Sequence, residues 1–165
     1  MKNYISSLSL IALALVITLA SCKKEETTIT TKTPTEYLTA GNWKVTGMTI
    51  NPGIEVLGVV LTDIYALGIE DCTKDDLITF NTDGTLTEDE GASKCNPDDP
   101  QTTNDGTWTL SDDGKTLTIL YPGDDPEIAT ITTLNGTNLI ITSTLIEDFG
   151  LGTNTYTATI TMTLQ

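Results

Sequence analysis

The sequence predicts an all-β domain: an antiparallel up-and-down barrel of about eight strands, with one short helix or helical loop after the first strand. Three observations lead there. Short apolar–polar alternations recur from about residue 38 to the C-terminus. Turn signals such as Asp83-Gly84, Asp112-Asp113-Gly114 and Asn135-Gly136 separate them, the kind that join sequential antiparallel strands. A single sheet of that length covers one face only by curling and closing on itself. A two-sheet sandwich is the alternative that strand counting leaves open.

The elements follow in order. In "GNWKV", Trp43, Val45 and Gly47 alternate with Lys44 and Thr46, giving the first strand. In "IEVLGVVLTDIYALGIEDC", Leu57, Val60, Leu61, Ile64 and Leu67 recur at helical spacing, so a short helix or helical loop is expected there, with a buried strand near 56–61 as the alternative. "LITFN" and "TLTED" form a hairpin about Asp83-Gly84. Read as a two-residue turn, that register makes paired residue numbers sum to about 167. "GTWTLS" and "KTLTILY" flank a type I turn with a bulge, and "EIATITTL" and "TNLIITSTLI" flank Asn135-Gly136. The last strand, "TYTATITMTL", alternates Tyr156, Ala158, Ile160, Met162 and Leu164 with threonines. One face is thereby buried and the other hydroxylated and wet.

The N-terminus has a different character. Lys2 precedes an apolar run from about Leu8 to Ala20, too short for a confident transmembrane helix and laid out like a signal peptide. It ends in Leu19-Ala20-Ser21-Cys22, which resembles the lipobox of bacterial lipoproteins. That resemblance implies residues 1–21 as a cleaved signal, lipid attachment at Cys22, and anchoring to a bilayer by more than one acyl chain. The chain is then expected to be exported and held at the outer membrane, on its periplasmic face or at the cell surface. Lys23-Lys24-Glu25-Glu26 resembles a surface-export signal of one group of Gram-negative bacteria. Residues 22–37 are polar and Thr-rich, read as a flexible tether, and residues 38–165 form the domain.

Composition narrows the function. From Cys22 onward there are seven lysines (Lys2 being removed) against 23 acids, a formal charge of −16, with no Arg and no His. A chain so acidic repels nucleic acid. Without His there is no Ser-His or Cys-His nucleophile pair, and no catalytic residue is assigned. The paired acids, among them Asp75-Asp76 and Glu88-Asp89-Glu90, read as turn and surface residues. No loop has an EF-hand's ligand pattern, so no metal and no cofactor is implied. With Cys22 given to lipid, Cys72 and Cys95 remain. In an exported chain they read as one disulfide, and the hairpin register places 72 opposite 95. That crosslink closes a loop of about 24 residues, contributing roughly 3 kcal/mol.

Gly41-Asn42-Trp43 at the start of the first strand resembles the Gly-x-Trp signature of lipocalins. The longer stretch, with Cys72, Asp75-Asp76, Phe80, Asp83-Gly84, Gly91, Cys95, Gly106, Trp108 and Asp113-Gly114, is similar to the lipocalin-like domains of exported bacterial lipoproteins. The Arg that packs over the Trp in typical lipocalins has no counterpart here. The resemblance implies a non-enzymatic module binding a small apolar or amphipathic molecule, with Trp43, Phe80, Trp108 and Tyr156 as candidate lining. The alternative is a structural or interaction lipoprotein with a filled barrel, an accessory subunit or surface antigen.

Overall fold

The first and last strands of the chain lie side by side. β1 (Asn42–Val56) pairs antiparallel with β9 (Asn154–Leu164), from Trp43↔Leu164 to Asn51↔Thr157. In this computed structural model, which describes residues 31–148 and 152–165, that pairing closes a ring. Between them run β3 (Leu77–Phe80), β4 (Thr85–Asp89), β5 (Thr102–Leu110), β6 (Thr116–Leu120), β7 (Glu127–Leu134) and β8 (Asn138–Glu147), each hydrogen-bonded to the next. The result is the expected eight-stranded antiparallel up-and-down barrel. One extra strand, β2 (Val59–Asp63), pairs with the far half of β1. The expected signal segment, Cys22 and most of the tether lie outside the described residues.

β9 shows why the ring forms. Tyr156, Ala158 and Met162 are buried while Thr155 and Thr157 on the other face are exposed, so period-2 alternation sorts apolar side chains inward. On β1 the alternation is interrupted. Val45 faces Met162 and Gly47 faces Thr161, leaving Thr46 as a bulge. The extra residue shifts the parity, so the face of Trp43 and Val45 continues with Met48 and Ile50 rather than with Gly47.

Three expectations are corrected. The segment read as helical from Leu57 is a hairpin: Val56 faces Val59 across Leu57-Gly58, whose φ angles are +52° and +78°, a two-residue turn with both central residues left-handed. Its β-branched valines favour the pleated form. The short helix expected after the first strand is α2 (Ile64–Gly68), where the Asp63 carboxylate accepts from the Ala66 N–H at 3.1 Å. The end of the tether is helical too, as α1 (Pro34–Leu38). Thr33 and Glu36 form a reciprocal capping box there, with Pro34 in the first turn.

Third, the β3–β4 register is one residue off. Phe80 faces Leu86 and Leu77 faces Asp89. Asn81 N–H donates to Thr85 O, Gly84 N–H to Asn81 O, and Gly84 has φ +85°, so the loop holds three residues. The disulfide Cys72–Cys95 forms nonetheless, with Cα atoms 5.2 Å apart. It lies beyond the ladder, joining the 3-10 turn Asp71–Thr73 to the chain after β4.

The core has two parts. The larger includes Leu38, Trp43, Phe80, Leu86, Trp108, Leu117, Leu139 and Met162. The smaller consists of Ile50, Ile54, Tyr156 and Ala158, with Met48, Ile64 and Leu145 packed against it.

Candidate functional site

One end of the barrel is plugged. α1 carries Leu38 into the core, and the indole N–H of Trp43 donates to the Leu38 carbonyl at 2.8 Å. Both residues are completely buried. Phe80 and Trp108 meet edge to face, ring centroids 5.8 Å apart, and the Trp108 indole donates to Asn81 O at 3.0 Å. The β5–β6 turn packs on the helix: Gly114 has φ +69°, and a Cβ there would sit 2.5 Å from Pro34 Cγ. Gly41 has no such demand, since a Cβ would meet Leu164 only at an ordinary 3.5 Å.

The other end is open. Beyond Trp43, β1 leaves β3: only Asn42↔Thr79 and Trp43↔Ile78 pair. The Tyr65 hydroxyl, on α2, donates to the Val45 carbonyl at 3.0 Å. A cavity of about 330 Å³ lies behind this seam. Its apolar wall comes from Val45, Met48, Leu77, Ile78, Ile119, Ile141, Ile160 and Met162, with Tyr65 and Ile69 from the covering segment. Its polar lining is acidic: Asp76, Glu88, Asp89, Glu90 and Glu127, together with Tyr121 and Thr73. The Tyr121 hydroxyl donates to Glu88 Oε1 at 2.5 Å.

Two neighbouring carboxylates have opposite surroundings. Asp75 points away from the cavity and clamps the loop after β4, accepting from Ala92 N–H at 2.7 Å, Ser93 N–H at 2.9 Å and the Ser93 hydroxyl at 2.6 Å. The Ser93 hydroxyl, above all, holds its carboxyl below the usual range. Gly91 makes the clamp fit: φ is +66°, and a Cβ would stand 2.5 Å from Asp75 O. Asp76 lines the cavity. Desolvation first, then the nearby charges of Glu90, Asp75, Glu88 and Asp89, push its carboxyl up to about 6. Its Oδ1 is buried and has no hydrogen-bond partner.

The sequence-named residues are therefore divided. Cys72 and Cys95 are joined. Trp43, Phe80 and Trp108 fill the plugged end and Tyr156 the smaller core, so none of the four candidate lining residues touches the cavity. The acids expected in turns and on the surface are partly reassigned. Asp76, Glu88, Asp89 and Glu90 line the cavity instead, joined by Glu127 at the start of β7. A signal was present for Glu88: it is two residues from Leu86 on one strand, and Leu86 is buried. Among the described residues, the lining offers no His, Cys, Ser or Lys. The group with metal-ligand spacing is Glu70, Cys72 and Cys95, whose sulfurs are already bonded to each other.

A closed, plugged antiparallel barrel with an internal cavity defines a lipocalin-type module. The chain belongs to the lipocalin-like family, whose model, described as a lipocalin-like domain, matches residues 39–141. Among solved structures, the bovine odorant-binding protein in complex with a selenium-containing odorant is similar, with a TM-score of 0.42 and 16% identity, covering 82% of this chain and 74% of that one. The same bovine protein in complex with undecanal gives 0.39 and 15%, covering 82% and 75%. No curated protein matches the chain.

Proposed function

We propose that this chain is a non-enzymatic, lipid-anchored binding protein of the bacterial cell envelope, holding a small apolar or amphipathic molecule in the open end of its barrel. One observation carries the binding reading: an apolar-walled cavity of about 330 Å³ inside the barrel, within the range of about 300–1,000 Å³ for small-molecule sites. The anchor rests on Leu19-Ala20-Ser21-Cys22 behind a short apolar run. Native mass spectrometry of the protein purified from its own host's envelope tests the first reading. A stoichiometric adduct lost on denaturation is expected, and a bare mass in repeated preparations overturns it. The anchor has its own test: Cys22→Ala is expected to release the protein from membranes, and continued fractionation with them refutes lipidation.

The second reading is an interaction protein or accessory subunit at the same location. It is favoured by the β1–β2 hairpin, whose tip presents Leu57 fully exposed with Val59 and Val60 more than half exposed. Crosslinking on intact cells, with the hairpin as the bait surface, tests it.

A further inference from the structure

We infer that the guest of this cavity is an organic cation, a small alkylammonium amphiphile whose apolar body fills the barrel and whose charged head sits among Asp76, Glu88 and Glu127. This rests on the binding reading above and adds the ligand's charge and shape.

The floor and walls are aliphatic, so they reward an apolar body. Five carboxylates share the cavity with the hydroxyls of Tyr65, Thr73 and Tyr121, and no lysine lines it among the described residues. Lys74 and Lys94 have partners of their own. Lys74 pairs with Asp71 at 2.7 Å and lies over the outer ring of Tyr65 at 5.7 Å, and Lys94 donates to Asp99 O at 2.6 Å. An anionic or merely polar guest would leave this field uncompensated. A fatty carboxylate would add one more like charge to a partly desolvated site, which costs stability at close range. An ammonium head compensates it and offers donors to the carboxylates that line the space, Asp76 among them.

A bare metal ion is the competing cation, and the geometry disfavours it. Among the described residues, no three cavity carboxylates bring ligand oxygens within 4.8 Å of one another; the group with that spacing is the Glu70 carboxylate with the Cys72 and Cys95 sulfurs. A calcium site needs six to eight oxygens converging at about 2.3–2.6 Å. Spread carboxylates over an aliphatic floor suit a charge attached to a hydrocarbon. The acidity of the cavity is assembled by the fold: Asp76 comes from the segment before β3, Glu88 from β4 and Glu127 from β7, three separate parts of the chain converging on one space.

The test uses the unit Thr31–Gln165, which is compact by itself and contains both core clusters, the disulfide and the closing strand pair. Decylamine, 1-decanol and decanoate share one chain length and differ in the head group. Their binding is measured by calorimetry near pH 7.5. Decylamine is expected to bind at least about tenfold more tightly than decanol, about 1.4 kcal/mol, with decanoate weakest. In Asp76→Asn and, separately, Glu127→Gln, the decylamine-to-decanol ratio is expected to fall several-fold. If decanol or decanoate binds as tightly as decylamine, or if the ratio is unchanged in both variants, the cation inference is overturned while the binding reading stands. If none of the three binds, both fall. Calcium chloride in the same calorimeter is expected to give no saturable heat, and displacement of decylamine by calcium at a one-to-one ratio overturns the alkylammonium assignment in favour of a metal.

Discussion

Removal of the Cys72–Cys95 crosslink, by Cys72→Ala with Cys95→Ala, is expected to destabilise the barrel by about 3 kcal/mol. The two residues are 23 positions apart in sequence, so the bond closes a loop of about 24 residues, for which the chain-entropy relation gives about 3.4 kcal/mol at 25 °C. The native side of the balance is little affected. Asp75 already ties the same two segments together by accepting from Ala92 and Ser93, and the β3–β4 ladder continues from Leu77↔Asp89 to Phe80↔Leu86. The loss therefore falls on the unfolded state, which regains the freedom of the loop. Urea unfolding followed by the fluorescence of Trp43 and Trp108, both buried at the plugged end, reads it out. With a slope of about 2 kcal/mol per molar urea, the midpoint drops by about 1.5 M. A loss under about 1 kcal/mol refutes the entropic account. So does a variant whose near-ultraviolet spectrum is already altered before denaturant is added, because the native state is then what changed.

Asp76→Asn is expected to stabilise the protein at pH 7. The carboxyl is raised to about 6 from 3.8, so the folded state prefers it protonated. That preference is fully present below about pH 4 and is lost as pH rises through about 6. The shift alone corresponds to about 3 kcal/mol, and solvent screening at this open site reduces it to about 1 kcal/mol. Thermal melts from pH 4 to 8 should show the wild-type curve falling relative to the variant across that window, and parallel curves refute it. Trp43→Phe leaves the Leu38 carbonyl buried without its donor and should cost about 1–3 kcal/mol, measured by circular dichroism in urea. Gly91→Ala places a Cβ against Asp75 O at a left-handed φ and should cost about 1–3 kcal/mol, with unchanged melting refuting the tight clamp.

The barrel was legible in the sequence because strand alternation is a local signal. Tyr156, Ala158, Ile160 and Met162 sort inward by parity alone, and Asp112-Asp113-Gly114 marks its turn by chemistry. What escaped depends on single inserted residues. Thr46 bulges and so exchanges Gly47 for Met48 on the inner face. Gly84 adds a third loop residue and slides the β3–β4 ladder by one. The disulfide pairing was right although that register was not, because Cys72 and Cys95 both lie outside the ladder. Leu57 and Val60 misled because they are exposed on a hairpin, where spacing carries no information about burial. The cavity was hidden for a related reason. In Asp75-Asp76 and Glu88-Asp89-Glu90 the acids adjoin in sequence, and composition alone does not say which of them border an internal space. The aromatic candidates were drawn to the core because Trp43, Phe80 and Trp108 serve to plug the barrel.

The pairing of β1 with β9 sets the order in which the ring can be made. β9 (Asn154–Leu164) follows every other described strand and serves two ladders, with β8 on one side and β1 on the other. Gln165 extends the contact, its N–H donating to the Asn42 carbonyl at 2.9 Å. Until β9 joins it, β1 has an open edge along most of its length, paired only to its hairpin strand β2 and, at Asn42 and Trp43, to β3. Such an edge is a template for wrong partners, and the loop that must close spans most of the domain. Removal of β9 deprives both β1 and β8 of a neighbour, and so leaves a barrel with two raw edges rather than a shortened one.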